Sequence, residues 1–358
     1  MTAACILSYK SEYVKFRFLK ILIHLPYHTH TQYGLEFHSE IQVAAGIAQA
    51  AVHASQASTF IPLDKAGDPL LVNGSHGATK GRQPKNGPSI FWLLRQIYDS
   101  PKLTPVLPYE PNALFSQRVK DFLGDGTRPT ELHRILAQFE PGTSPEALDD
   151  RIEEMIFVST LLAFGTGKPN RKPRIDFFLM HLLTSSLFVP SFLKYVPNPE
   201  YKRALLKTFL QPWGIILMVR GRPRIDPELL MSYTDTPLPP NVPPPAPQPS
   251  SLGGNTINSW PAIIGDVIHA PDAHTVKSLR TLLFGATRYG TIAKGAVIGT
   301  WGPDGKETHP GISTLDGTVF VRAAGVLMDT LGWVTHGQKE GSWDRSALGW
   351  DDAWKGED

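Results

Sequence analysis

The chain has 358 residues, 41% hydrophobic and 19% charged, enough to bury a sizeable core in one large domain or two ordinary ones. Its 35 basic and 33 acidic side chains leave a net charge of +2, and no basic block is interleaved with aromatics, which argues against nucleic acid and anionic membranes as partners. A single cysteine, Cys5, excludes an internal disulfide framework or thiolate metal cluster and suggests a reducing, cytoplasmic setting.

Residues 1–29 form an atypical opening. Their apolar residues follow no clean period, and "FRFLKILIHL" is broken by Arg17, Lys20 and His24 without a signal-peptide cleavage site. The stretch "HTHTQYGLEF" follows at once and gathers His30, Tyr33 and Glu36. "SEIQVAAGIAQAAVHAS" then predicts a helix capped by Ser39, with Ile41, Ala44, Ala45, Ala48, Ala51 and Val52 as its packing stripe. Residues 61–90 are rich in turn formers. Helices are predicted from Ser89, in "PNALFSQRVKDFLGDG" and in "PTELHRILAQFE". "SPEALDDRIEEMIFVSTLLAFGTG" has Ser144 as N-cap, Pro145 in the first turn and a glycine stop. "FFLMHLLTSSLFV", from Phe177 to Val189, is too short and too polar to span a bilayer and reads as a fully buried helix. "RGRPRID" reads as a solvated turn carrying Arg220, Arg222 and Arg224.

The stretch 236–251, "TPLPPNVPPPAPQPSS", is a Pro-rich linker or insertion. Two helices follow, the second capped by Asp272, and "DGTVFVRAAGVLMDTLGW" supplies another. Strand alternation is scarce. The fold class expected is mostly α, a multi-helix single domain over residues 30–358 with the Pro-rich segment inserted.

Several chemistries lack their motifs. No glycine fingerprint for a flavin or nicotinamide Rossmann site is present, since "GDGTRP" and "GTGKPN" both lack the third glycine. No P-loop, H-E-x-x-H or G-x-S-x-G occurs. The 12 histidines are more informative. His181 lies in an apolar helix, where an imidazole needs a partner, such as a carbonyl, Thr184 or Ser185. "HAPDAHTVK" places His269, Asp272 and His274 close in sequence, a weak two-histidine, one-carboxylate pattern, with Lys277 on the same helix face as His274. Trp92, Trp213 and Trp260 read as core.

The blocks "THTQYGLEFHSEIQVAAGIAQAAVH", "DFFLMHLLTSSLFVP", "RGRPRID", "PDAHTVKSLRTLLFGATRYG", "LDGTVFVRAAGVLMDTLGW" and "GSWDRSALGWDDAW" together resemble the questin oxidase-like family of fungi, from about His30 onward. The resemblance implies a secondary-metabolism oxygenase that opens a ring of an anthraquinone- or xanthone-type polyketide, as on routes to mycotoxins. Such enzymes are described as NADPH-dependent Baeyer–Villiger oxidases, although this chain has no flavin motif. It further implies a non-haem iron centre held by histidines and a carboxylated lysine, carried over here to His30, His181 and Lys277 as metal ligands. Tyr33 and Glu36 are the candidates for catalytic proton handling.

The partners implied are an aromatic polyketide, O2 and a reductase that could pass on electrons from NADPH. The family also carries a histidine-rich block before the "YGLEF" block, and nothing in residues 1–29 resembles it. Those residues are therefore expected to be a replaced or mispredicted exon, leaving part of the iron site and of the helical core unmade. The competing expectation is an inactive paralogue or a non-enzymatic accessory protein.

Overall fold

The computed structural model describes residues 25–52, 81–105, 108–242 and 257–356. Cys5, most of the atypical opening, the turn-rich residues before 81 and most of the Pro-rich segment lie outside them.

The described chain is mostly α, with no strand. Its only β pairing among the described residues is two isolated bridges, Asp176 with Asp344 and Trp301 with Glu307. Among the described residues, five α-helices precede the central one in the chain. They are α1 (Leu25–Glu36), α2 (Glu40–Val52), α3 (Ile90–Asp99), α4 (Phe115–Gly124) and α5 (Thr127–Leu136). The central helix α6 (Pro145–Phe164) starts at Ser144, whose hydroxyl accepts the Ala147 N–H at 3.2 Å, and stops at Gly165. It is buried on all sides from Arg151 to Phe164. A helix apolar on one stripe would face solvent with the other; this one is enclosed by neighbours all round.

Those neighbours are α3 and four later helices. They are α7 (Phe177–Ser186), α10 (Pro227–Ser232), α12 (Ala273–Tyr289) and α13 (Val319–Leu331). The remaining helices, α8 (Val189–Tyr195), α9 (Pro199–Val219) and α11 (Trp260–Val267), complete the described set.

Burying α6 also buries three of its charges, and one of them, Glu153, pairs with Arg82 at 2.7 Å. Arg151 and Glu154, one turn apart, pair with each other without exposure. Glu154 also accepts the Ile90 N–H at 3.0 Å, tying the start of α3 to α6. A second enclosed pair, Arg220 Nε to Asp176 Oδ2 at 2.7 Å, joins the end of α9 to the start of α7.

Three expectations are corrected. On α2 the buried side is Val43 and Gly46, whereas Ile41 is 83% exposed and Ala44, Ala45 and Ala48 face outward. The reason is a close helix crossing. A Cβ on Gly46 would stand 2.7 Å from the Thr31 backbone nitrogen, and one on Gly34 2.6 Å from that of Val43. The small residues do bring another backbone near, but through glycines.

"RGRPRID" is solvated only in part, with Arg224 exposed and Arg222 half-buried. Arg220 is buried in its ion pair, Arg222 donates to the carbonyls of Ile97 at 2.9 Å and Ser100 at 3.0 Å, and Arg224 donates to that of Tyr98 at 3.0 Å. The end of α3 leaves carbonyls without helical donors, and these arginines satisfy them.

The apolar stretch from Phe177 is neither one helix nor fully buried. It turns at Leu187 and Phe188, and Phe177, Phe178 and His181 are only half-buried. By length and composition Phe177–Tyr195 could cross a membrane, yet most of it is buried against the other helices. It occupies the position of a core element.

Replacing Arg220 with Met leaves the Asp176 carboxylate buried without its cation. This is expected to cost about 3–5 kcal/mol of unfolding free energy in denaturant titrations, with the double variant Asp176→Asn, Arg220→Met closer to wild type.

His309 is enclosed by Phe91 and Tyr98, and its Nε2 has no partner among the described residues. Burial, followed by the charges of Arg95 and Arg224, pushes its pKa from 6.5 down to about 3. The unfolded chain then binds the proton more readily than the folded one. The stability this group provides is therefore complete above pH 6.5 and is lost as pH falls from there toward 3, by up to about 1.4 kcal/mol per pH unit. His309→Gln should flatten that part of the stability–pH curve.

Candidate active site

Two histidines far apart in sequence meet where α7 faces α12. Asp176 caps α7, its Oδ1 accepting the N–H groups of Phe178 at 2.8 Å and Leu179 at 3.1 Å. This fixes the first turn and aims Phe177 and His181, four residues apart, along one face. Asp272 does the same for α12, accepting the His274 N–H at 2.9 Å. The rings of His181 and His274 then lie with centroids 5.4 Å apart, and the Phe177 ring packs edgewise on both, at 4.9 and 5.0 Å.

The hydrogen bonds fix the tautomers. His181 Nδ1 stands 2.8 Å from the Phe177 carbonyl, which only accepts, so Nδ1 carries the proton. His274 Nδ1 stands 2.7 Å from Asp272 Oδ1, and the same argument applies. Neither Nε2 makes a hydrogen bond among the described residues. Burial first, and the nearby charges of His274, Lys277 and Arg345, press the His181 pKa down to about 4, against the raising effect of the Phe177 carbonyl. Its ring is neutral at physiological pH. Burial pushes the Asp272 carboxyl up, but its bonds with the N–H and ring of His274 hold it below the ordinary carboxylate value. Two imidazoles that meet, each oriented through Nδ1 by an oxygen, are the donor type a nitrogen–oxygen metal site uses.

Lys277 follows His274 by three residues and is half-buried, with no ion pair among the described residues. One turn further, Arg280 pairs with Glu36 of α1 and lies over the rings of Tyr33, at 5.9 Å, and Phe37, at 5.5 Å. Tyr33 also packs edgewise on Phe188 at 5.0 Å. The second oxygen of Glu36, Oε2, is buried without a partner. Thus α12 carries, one turn apart (about 5 Å of rise), the lysine whose charge reaches His181 and the arginine that holds Glu36.

The candidates therefore fall into groups. Lys277 lies on α12 near enough for its charge to lower the His181 pKa, and Tyr33 and Glu36 are joined to the same helix through Arg280. His30 is exposed on α1 and, among the described residues, makes no bond to the imidazole pair. His269 is exposed as well, so the carboxylate of Asp272 goes to His274 alone. Among the described residues no cluster of three or more histidine, cysteine, aspartate or glutamate side chains stands ready for a metal. The donors that meet are two imidazoles.

Nothing in the sequence marks Arg280 and Phe177 as site residues, and His274 stands there only in a weak pattern with His269 and Asp272. The cap and the three-residue spacing to Lys277 were visible for His274, but its partner across the helix interface was not.

A model of the questin oxidase-like family matches residues 16–282. Curated relatives include Baeyer-Villiger oxidase ptaJ of Pestalotiopsis fici, 30% identical over 167 residues, which are 46% of this chain and 33% of that protein. Baeyer-Villiger oxidase AgnL3 of Paecilomyces divaricatus is 26% identical over 161 residues, 44% of this chain and 32% of that one. Baeyer-Villiger oxidase mdpL of Emericella nidulans is 28% identical over 161 residues, 44% and 33% respectively. The match spans about a third of the length of these relatives.

Arg280→Met releases Glu36 and removes the cation from between Tyr33 and Phe37. Amide exchange is expected to quicken across α1 and α2 while α6 and α7 keep their protection; equal change in all four helices would contradict the latch.

Proposed function

The chain belongs to the questin oxidase-like family, and from that premise we propose that it is an oxygenase of fungal secondary metabolism that oxidatively opens a ring of an anthraquinone- or xanthone-type polyketide. The observation that carries this reading is the pair His181 and His274, each oriented through Nδ1 by an oxygen, with Lys277 one turn beyond His274 on the same helix and its charge felt by His181.

These residues fit part of the coordination set of a non-haem ferrous ion. Neutral imidazole suits iron, and an oxygen donor completes the preferred type. Lys277 provides that donor when its neutral amine adds to CO2 and gives up a proton, forming an anionic carbamate. His30 is retained as a further ligand by family resemblance, although its ring is exposed here. Bound iron would supply O2 activation.

The chain's own residues do the rest. Phe177 and the apolar face of α7 shield the imidazoles from water and favour a flat aromatic ligand. Glu36, with Oε2 uncommitted and Tyr33 beside it, is the proposed proton acceptor. Insertion of one oxygen atom, with the other leaving as water, needs two electrons. NADPH supplies them through a partner reductase or by prior reduction of the quinone, in the cytoplasm; incorporation of both atoms needs none.

The test is aerobic incubation of the iron-supplemented protein with a trihydroxyanthraquinone under 18O2, read by mass spectrometry. A ring-opened product carrying one or two labelled atoms is expected, falling to background in His274→Ala and Lys277→Ala. A folded, iron-loaded protein that incorporates no label would overturn the reading and favour an accessory binding role.

A further inference from the structure

We propose that Arg345 anchors the substrate by pairing with an ionised phenol of the flat aromatic molecule, an inference that rests on the substrate reading above. It is carried by a contrast among the arginines. Several guanidinium groups in the described residues lie over aromatic rings, among them Arg174 over Trp354 and Arg220 over Phe178. Each of the others also donates to an oxygen, as Arg174 does to Asp344 at 2.6 Å, Arg220 to Asp176 at 2.7 Å, and Arg280 to Glu36. Arg345 is the exception among them. Its guanidinium carbon lies 3.6 Å from the Phe177 ring centroid, closer than any of the rest, and its N–H groups reach no acceptor in the described residues.

The position is built. Asp344 exchanges backbone bonds with α7, its N–H to the Ile175 carbonyl at 2.9 Å and its carbonyl to the Phe177 N–H at 2.8 Å. Its carboxylate accepts Arg174 and both the N–H and hydroxyl of Ser346, at 2.7 and 2.6 Å. The one acid adjacent to Arg345 in the chain is thereby fully used. The short segment that carries Arg345 is held against the first turn of α7, on the same ring that packs on His181 and His274.

Stacking on a ring is worth little at an exposed site, whereas five donors in a planar fork are suited to an anionic oxygen. The other acids nearby are committed as well, Asp272 to His274 and Asp176 to Arg220. An exposed cation stacked at the mouth of an aromatic-lined site, with every neighbouring acid otherwise engaged, selects a ligand that brings its own negative charge. A phenol conjugated to a quinone carbonyl is acidic enough to do so.

The experiment uses two dyes with the full chain, 1,3,8-trihydroxyanthraquinone and its trimethyl ether, followed by visible absorbance across pH. Wild type is expected to lower the apparent phenol pKa of the bound trihydroxy dye by about one unit, equal to about tenfold tighter binding of the ionised form. Arg345→Met, with Arg345→Gln as a second neutral variant, should abolish that shift and leave the affinity for the trimethyl ether unchanged; Arg345→Lys should keep part of it. A shift that persists in the neutral variants overturns the role of Arg345 and leaves the substrate reading standing. Equal weakening of both dyes also overturns it, since Arg345 would then serve only to pack on Phe177. If wild type binds neither dye, the substrate reading fails and this inference falls with it.

Discussion

The buried carboxylate of Asp176 is the constraint on which the site depends. One oxygen caps α7 through two backbone N–H groups, and the other takes the guanidinium of Arg220 from the end of α9. Burial pushes its pKa up, and the arginine and the capping N–H groups oppose that push. A charge so enclosed is held because both carboxylate oxygens are bonded, Oδ1 by two backbone N–H groups and Oδ2 by the guanidinium. The same residue bridges to Asp344, so a single junction fixes the start of α7, the end of α9 and the segment that carries Arg345. His181 stands just over one turn beyond it. Its place relative to α12 is inherited from this junction more than from its own side chain.

A second consequence is electrostatic. The side of α12 that faces α7 and α1 carries His274, Lys277 and Arg280, and Arg345 approaches from the far end of the chain. Of these, Arg280 is neutralised by Glu36, and His274 is oriented by Asp272. Lys277 and Arg345 keep unmatched charge beside a ring held neutral by burial. Spare cations beside the imidazole pair and the Phe177 ring suit an anion and a flat ring together.

Much of the fold was legible in the sequence where the signal is local. Ser144, Ser89, Ser39 and Asp272 all act as the caps their side chains suggest, because a cap depends on three or four consecutive residues. The bond from His181 to a carbonyl was readable on the same ground, being one turn away in its own helix. The packing face of α2 was not. Alanines and glycines are both small, and only the crossing with α1 decides that Gly46 goes inward while Ile41 faces out. "RGRPRID" looked polar and therefore solvated. Its arginines instead satisfy a carboxylate and carbonyls contributed by distant segments, which no local pattern reveals. The site divides the same way: the spacing of His274 and Lys277 was visible, and the meeting of His274 with His181, 93 positions earlier in the sequence, was not.

The central claim is that His181, His274 and Lys277 hold one ferrous ion between α7 and α12. Elemental analysis of the purified chain after anaerobic ferrous loading and desalting tests it most directly, with His274→Ala alongside. The account predicts about one iron per chain in the wild type and loss of most of it in the variant, with the helical content of both unchanged. A folded wild-type chain that retains no iron, or a His274→Ala variant that retains as much as the wild type, would contradict it.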